Sequence, residues 1–371
     1  MAEVEIGIGK TARRAYRLDD VAIVPSRRTR DPEDVDISCE IDAYHLDVPV
    51  LGAPSDSVTS PATAIELGRL GAAGVLHLEG LWTRYEFPEK IFEEIAELPA
   101  AKATRRLQEI YAEPVRPELI GTRIAQIKDA GVLCAVAVTP HRTLELAEHV
   151  LRAEPDLLVI QAAIVSAEHV ARTVEPLNLK DFIRHYELPV LVGGCTSYQA
   201  ALHLMRTGAA GVLVGAGSGA AKVTREVLGL GVPLATALAD ARGARMRHLD
   251  ETGVYCYVIA DGGVDTGGDI ARAVACGADA VMIGTPLAAA AEAPGRGYHW
   301  SMPAVHASLP RGERIRVETQ GTLTQILHGP AHDATGGVNL TGALRRAMAL
   351  CGFDTLKDLQ KAELVVVGGG S

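Results

Sequence analysis

YCYVIADGGVDTGGDIARAVACGADAVMIGTPLA, residues Tyr255–Ala288, reads as strand, glycine loop, helix, strand and second glycine loop. Tyr255 to Ala260 is a short, apolar, partly β-branched run of the kind that forms a buried parallel strand, and it ends in Asp261-Gly262-Gly263. Paired glycines let a backbone come close to a ligand and turn its N–H groups toward an anion. Ile270, Ala273 and Val274 have helical spacing within Asp269–Gly277, and Ala280–Ile283 is a second buried strand closed by Gly284-Thr285. Two neighbouring strand ends thus offer two anion-ready loops. In a closed barrel of parallel strands the loops after the seventh and eighth strands commonly hold phosphate. Asp261, just ahead of the first loop, is placed to accept hydrogen bonds from ribose hydroxyls. Tight strand-to-helix turns would use the same glycines, but the two loops within one βαβ unit favour phosphate binding.

Working outward, apolar runs at Pro49–Pro54, Gly74–Glu79, Val132–Val138, Leu157–Ala163, Pro189–Gly194 and Gly211–Gly217 complete a set of eight strands. Helical segments at Pro61–Leu70, Glu118–Ala130, Arg142–Ala153, Glu168–Thr173 and Ser197–Thr207 lie between them. Eight such units predict an α/β chain folded as a (β/α)8 TIM barrel, with the site at the carboxyl ends of the strands. A doubly wound open sheet is disfavoured, because no G-x-G-x-x-G fingerprint opens the first unit. The expectation is one barrel domain over residues 1–371, with an amino-terminal extension (1–45), an excursion at 84–117 broken by prolines, and a lid-like segment at 293–339 rich in Gly, Pro and His. Val365–Val367 reads as a short extended piece before a Gly-rich tail.

A net charge of −10 and a pI near 5.7 argue against a nucleic-acid groove. The cluster Arg13, Arg14, Arg27, Arg28 and Arg30 alternates with Asp19, Asp20 and Asp31 and reads as a solvated or subunit-contact surface. No signal peptide or membrane-length apolar run is present, so a cytoplasmic protein without membrane attachment is expected. Six cysteines without CxxC spacing predict buried free thiols, no disulfides and no metal site. Cys195, after Gly193-Gly194 at the end of the fifth strand, is the one cysteine placed where a nucleophile would sit, with packing as its alternative role.

These residues carry a family resemblance over nearly the whole chain. LDDVAIVPS (Leu18–Ser26), DSVTSPATAIELGRLGAAGVLH (Asp56–His77), IADGGVDTGGDIARAVACGADAVMIGTPLA (Ile259–Ala288) and GALRRAMALCGF (Gly342–Phe353) resemble, in order, motifs of the IMP dehydrogenase/GMP reductase family. The chain is most similar to short members that lack the regulatory CBS pair, whose place is taken by Arg84–Pro117. The resemblance implies hydride transfer between a purine nucleotide (IMP, GMP or XMP) and NAD or NADP, and a homotetramer. It also implies phosphate binding around Gly217, Gly219, Gly263, Gly284 and Thr285, with ribose on Asp261.

Family members attack C2 of the purine with a cysteine in a loop of the form GPGSICTTR. Here that loop reads GAGSGAAKVTREVLGLGVP (Gly215–Pro233), which puts Lys222 in the place of the cysteine while retaining Thr224 and Arg225. A protonated amine does not attack, and a neutral one is a poor leaving group for the return step. Lys222 is expected to pair with phosphate or to fill the nicotinamide pocket with positive charge; a surface lysine is the plain alternative. Thr224 is expected to handle the proton or water at C2. Ser55 replaces a base-contacting methionine, and Gln161 an aspartate near the cofactor. Met302 and Trp300, in HWSM, are expected base contacts. Three functions therefore stand: a nucleotide oxidoreductase with Cys195 or other residues in place of the lost thiol, a purine-nucleotide-binding regulatory protein with little catalysis, and an FMN-binding barrel oxidoreductase.

Overall fold

Val50–Gly52, Ala73–His77, Ala135–Val138, Leu157–Gln161, Val190–Cys195, Gly211–Val214, Tyr257–Asp261 and Ala280–Ile283 are the strands of a closed parallel barrel in the computed structural model. Each pairs with the next, and the eighth returns to the first through Val281↔Val50 and Ile283↔Gly52. The structure describes residues 3–172, 176–216, 219, 223–301, 314–332 and 334–367. Along each strand the side chains divide between two apolar layers. Leu51, Val75, Ala137, Val159, Leu191, Leu213, Ile259 and Met282 fill the barrel interior. Val50, Leu76, Val136, Leu158, Val192, Val212, Val258 and Val281 face the surrounding helices. Burial on both faces is why these strands read as continuous apolar runs and not as alternating ones.

The helices start where their caps lie. Ser60 accepts from Thr63 N at 3.0 Å ahead of Pro61–Arg69, and Thr266 pairs reciprocally with Asp269 ahead of Gly267–Ala275. The first helix lies so close to the second strand that a Cβ on Gly74 would come within 2.6 Å of Ala64 Cα. The helix expected at Glu168–Thr173 is absent from the described part of that range, and the helix after the fourth strand is Leu179–His185. The reason is burial. Val170 is 89 % exposed, whereas Leu179 and Phe182, one turn apart, go into the core behind an Asn178 cap.

Below the strands, the hairpin Cys39–Ile41 with Tyr44–Leu46 sends Ile41 and Leu46 into the interior layer and plugs the barrel. A buried ion pair fastens the same end: Arg245 Nη1 lies 2.7 Å from Asp279 Oδ2, and Val258 N and Tyr255 OH also donate to that carboxylate. Leu364–Val366 pairs antiparallel with Val21–Ile23, so the expected extended piece joins the amino-terminal segment.

The excursion at 84–117 contains the helices Glu89–Glu97 and Ala100–Ile110. Phe92, Ile95, Leu107, Ile110 and Tyr111 form a small separate core with Leu81 and with Trp300 from the lid-like segment. Two short strands of that segment, Tyr298–His299 and Ile315–Arg316, pair with each other, and Arg314 donates to the carbonyls of Ile95 and Leu98 while stacking 3.8 Å over Tyr298. Among the described residues no helix is long and apolar enough to cross a membrane.

Candidate functional site

Asp261 ends the seventh strand in register with Met282 of the eighth, which brings the two glycine loops side by side at the barrel mouth. Gly262 and Gly263 both take positive φ, 83° and 69°, a pair of left-handed positions that side chains other than glycine resist. From across the mouth, Gln161 at the end of the fourth strand donates its amide to Asp261 Oδ2 at 2.7 Å. Burial pushes the Asp261 carboxyl up to about 6, and the Gln161 hydrogen bond opposes that rise. The Gln161 amide thus holds the Asp261 carboxyl in place at the mouth.

The loop after the first strand is polar and almost wholly enclosed. Ser55 Oγ donates to the Trp300 carbonyl, Ser57 Oγ lies 2.8 Å from both Ser55 Oγ and His299 Nδ1, and Trp300 N donates back to Ser57 Oγ at 3.3 Å. Between the two serines, Asp56 Oδ2 accepts from Tyr111 OH at 2.5 Å and from Leu81 N at 2.9 Å, while Asp56 Oδ1 is buried without a partner. Burial raises the Asp56 carboxyl to about 6 and lowers the His299 imidazole to about 4, so His299 is neutral. Trp300 Nε1 donates to Tyr111 OH at 3.0 Å, completing a chain from lid segment to excursion to first loop. His77 and Glu79 follow the second strand; Glu79 accepts from Thr139 N at 2.6 Å and ties the second and third loops together.

The expected site residues fall into three groups. Asp261, Gly262, Gly263, Gly284 and Thr285 meet at adjacent strand ends. Thr224 is buried in the helix Val223–Leu228 after the sixth strand, and Gly219 lies in the loop before it, where a built Cβ would meet nothing within 4 Å among the described residues. Gly217, Lys222 and Met302 lie outside the described residues.

Two expectations change with the geometry. Trp300 is 0 % exposed and packs against Phe92 with ring centroids 6.2 Å apart, so it is a core residue and not a surface for a base. Cys195 is 1 % exposed, belongs to the layer between strands and helices, and its thiol is pushed up to about 12 by burial. That environment favours packing over attack. Among the described residues no cluster of His, Cys, Asp or Glu is arranged for a metal. The sequence reading missed the Ser57–His299 and Asp56–Tyr111 contacts. Their only local signal is the polar run DSVTS directly after an apolar strand.

The sequence model of the IMP dehydrogenase / GMP reductase domain matches residues 15–369. An uncharacterized oxidoreductase of Mycobacterium tuberculosis is 51 % identical, over 98 % of this chain and 100 % of that protein. The inosine-5'-monophosphate dehydrogenase of Methanocaldococcus jannaschii is 27 % identical over 96 % of this chain and 93 % of its own. A crystal structure of an IMP dehydrogenase/GMP reductase-like protein from Corynebacterium glutamicum superposes with a TM-score of 0.93 at 46 % identity, covering 98 % of both chains.

Proposed function

Because the chain belongs to the IMP dehydrogenase/GMP reductase family, we propose that the barrel mouth binds a purine nucleoside monophosphate, IMP, GMP or XMP, as a nucleotide oxidoreductase of that class. The observation that carries this is the pairing of Asp261-Gly262-Gly263 with Gly284-Thr285 on neighbouring strands. A carboxylate and two glycine loops at that spacing suit a ribose and its phosphate.

The redox half has different support. The family's co-reactant, NAD or NADP, supplies or accepts a hydride at the purine, but two residues that the resemblance places near base and cofactor are spent inside the protein. Ser55 is on the Trp300 carbonyl and Gln161 is on Asp261. As they stand they do not fit a nicotinamide site. Lys222 stands for the loop cysteine, and Cys195 does not face the mouth. Nucleotide recognition is therefore the better-supported half of the proposal, with ordinary IMP oxidation slow or absent, and assembly as a homotetramer follows the family.

Calorimetric titration with IMP, GMP and XMP, followed by nicotinamide absorbance in both reaction directions with NAD and NADP, tests this. The expected result is binding of at least one monophosphate, with little or no absorbance change on IMP and NAD. Absence of binding by all three nucleotides would reject the proposal.

A further inference from the structure

Gln161 and Asp261 stand on the fourth and seventh strands, three steps apart around the barrel. That is about 14 Å along the sheet. Their side chains nevertheless meet, with Gln161 Nε2 2.7 Å from Asp261 Oδ2, so the pair crosses the barrel opening above the fifth and sixth strands. The crossing is possible because those two strands end in glycine on the inner face. Gly193 lies in register with Gln161, and Gly215 follows Val214, the residue in register with Ala260. Gln161 Nε2 also lies 3.7 Å from Met282 Sδ on the eighth strand. Both neighbours are acceptors, which sets the amide with its NH2 group toward them. The two side chains are half-buried, so the pair is reachable from the mouth.

An amide at this place does what a carboxyl would not. A carboxyl at 161 would face Asp261 with a like charge, and the two would share one proton. The amide donates at any pH. Burial opposes ionisation of Asp261 and the Gln161 hydrogen bond favours it, and among the described residues no charged side chain enters that balance. We propose that Gln161 is the positioning residue that makes this mouth select a ribonucleotide, by holding the Asp261 carboxylate in one orientation as the acceptor for the ribose 2′-hydroxyl. This rests on the nucleotide-binding proposal for the ribose, but not for the coupling of Gln161 to Asp261.

Two variants of similar size and a pair of ligands test it. Gln161→Met keeps the length of the side chain and removes the donor, so affinity for IMP should fall by about 10-fold, the low end for a hydrogen bond to a charged group. The 2′-deoxy analogue of IMP, which lacks the hydroxyl, should bind wild type and Gln161→Met alike. Gln161→Glu separates positioning from packing through its pH profile. In the wild type the preference for IMP over its 2′-deoxy analogue should weaken as pH falls through about 6, where Asp261 takes up a proton. In Gln161→Glu the preference should strengthen as pH falls, because a proton shared by the two carboxyls restores the donor. Titration of the ligand phosphate is common to both nucleotides and cancels in their ratio.

Equal weakening of both ligands by Gln161→Met, or parallel pH trends in wild type and Gln161→Glu, would overturn the proposal while leaving nucleotide binding intact. Carbon NMR of aspartate-labelled protein, with the Asp261 carboxyl signal identified by its loss in Asp261→Asn, reads the coupling without any ligand. Its titration midpoint should rise in Gln161→Met, and an unmoved midpoint overturns the coupling. If no purine nucleotide binds and the midpoint still rises, the coupling stands and the ribose assignment falls.

Discussion

Replacing Asp56 by Asn should flatten part of the pH dependence of stability, and the size of the effect follows from the surroundings of one carboxyl. Asp56 is 1 % exposed, and its Oδ1 has no partner, so ionisation places a charge where half of it goes unsolvated. The hydrogen bonds from Tyr111 and Leu81 to Oδ2 favour the ionised form but do not offset burial. The net rise from 3.8 to about 6 corresponds to about 3 kcal/mol. The sign is set by the folded state binding the proton more tightly than the unfolded chain. Asp56 contributes that stability fully below its unfolded value, and loses it as pH rises through the folded value. Urea unfolding of the wild type and Asp56→Asn from about pH 4 to about pH 7 should show their free-energy difference shifting by roughly 2–2.5 kcal/mol in favour of the variant as pH rises, most of the full effect. Asp261 titrates in the same direction in both proteins and cancels in the difference. A difference that stays constant across the range would refute the argument, whatever its absolute value.

Further outcomes are expected at Arg245, Arg152 and Cys195. Arg245→Met removes the buried partner of Asp279 but leaves Lys357 Nζ 3.1 Å from its other oxygen, so the cost in urea unfolding should fall below the roughly 3–5 kcal/mol of an unpaired buried charge yet stay above about 1 kcal/mol, whereas Arg152→Ala, at an exposed pair with Glu148, should cost under about 1 kcal/mol. Cys195→Ala should leave nucleotide affinity unchanged, and Cys195 in the native protein should resist alkylation near neutral pH; mass-spectrometric detection of its rapid modification would contradict the burial described above.

All eight barrel strands were legible because a strand buried on both faces leaves a largely apolar run. The helix after the fourth strand was misplaced because Glu168–Thr173 has helix-forming residues but nothing to bury, while Leu179 and Phe182 show only two apolar positions. The long helix Leu234–Thr252 carries no clean stripe, since its buried face includes Arg245 and His248 and its interior holds Gly243. Asp261 and its glycines were readable from a single βαβ unit. The His299 and Trp300 contacts were not, because their partners at Ser55, Ser57 and Tyr111 lie far away in sequence and no local period records such pairs.

The small core shared by the excursion and Trp300 also sets an order of events during synthesis. The helices Glu89–Glu97 and Ala100–Ile110 leave the ribosome long before Trp300, which is 189 residues beyond Tyr111. At bacterial-type elongation rates that interval lasts on the order of 10–40 s. Throughout it Phe92, Ile95 and Leu107 lack the indole that covers them, and the Tyr111 hydroxyl lacks the donor that it later accepts from. The nascent chain thus carries an open apolar patch at a fixed place for a predictable time.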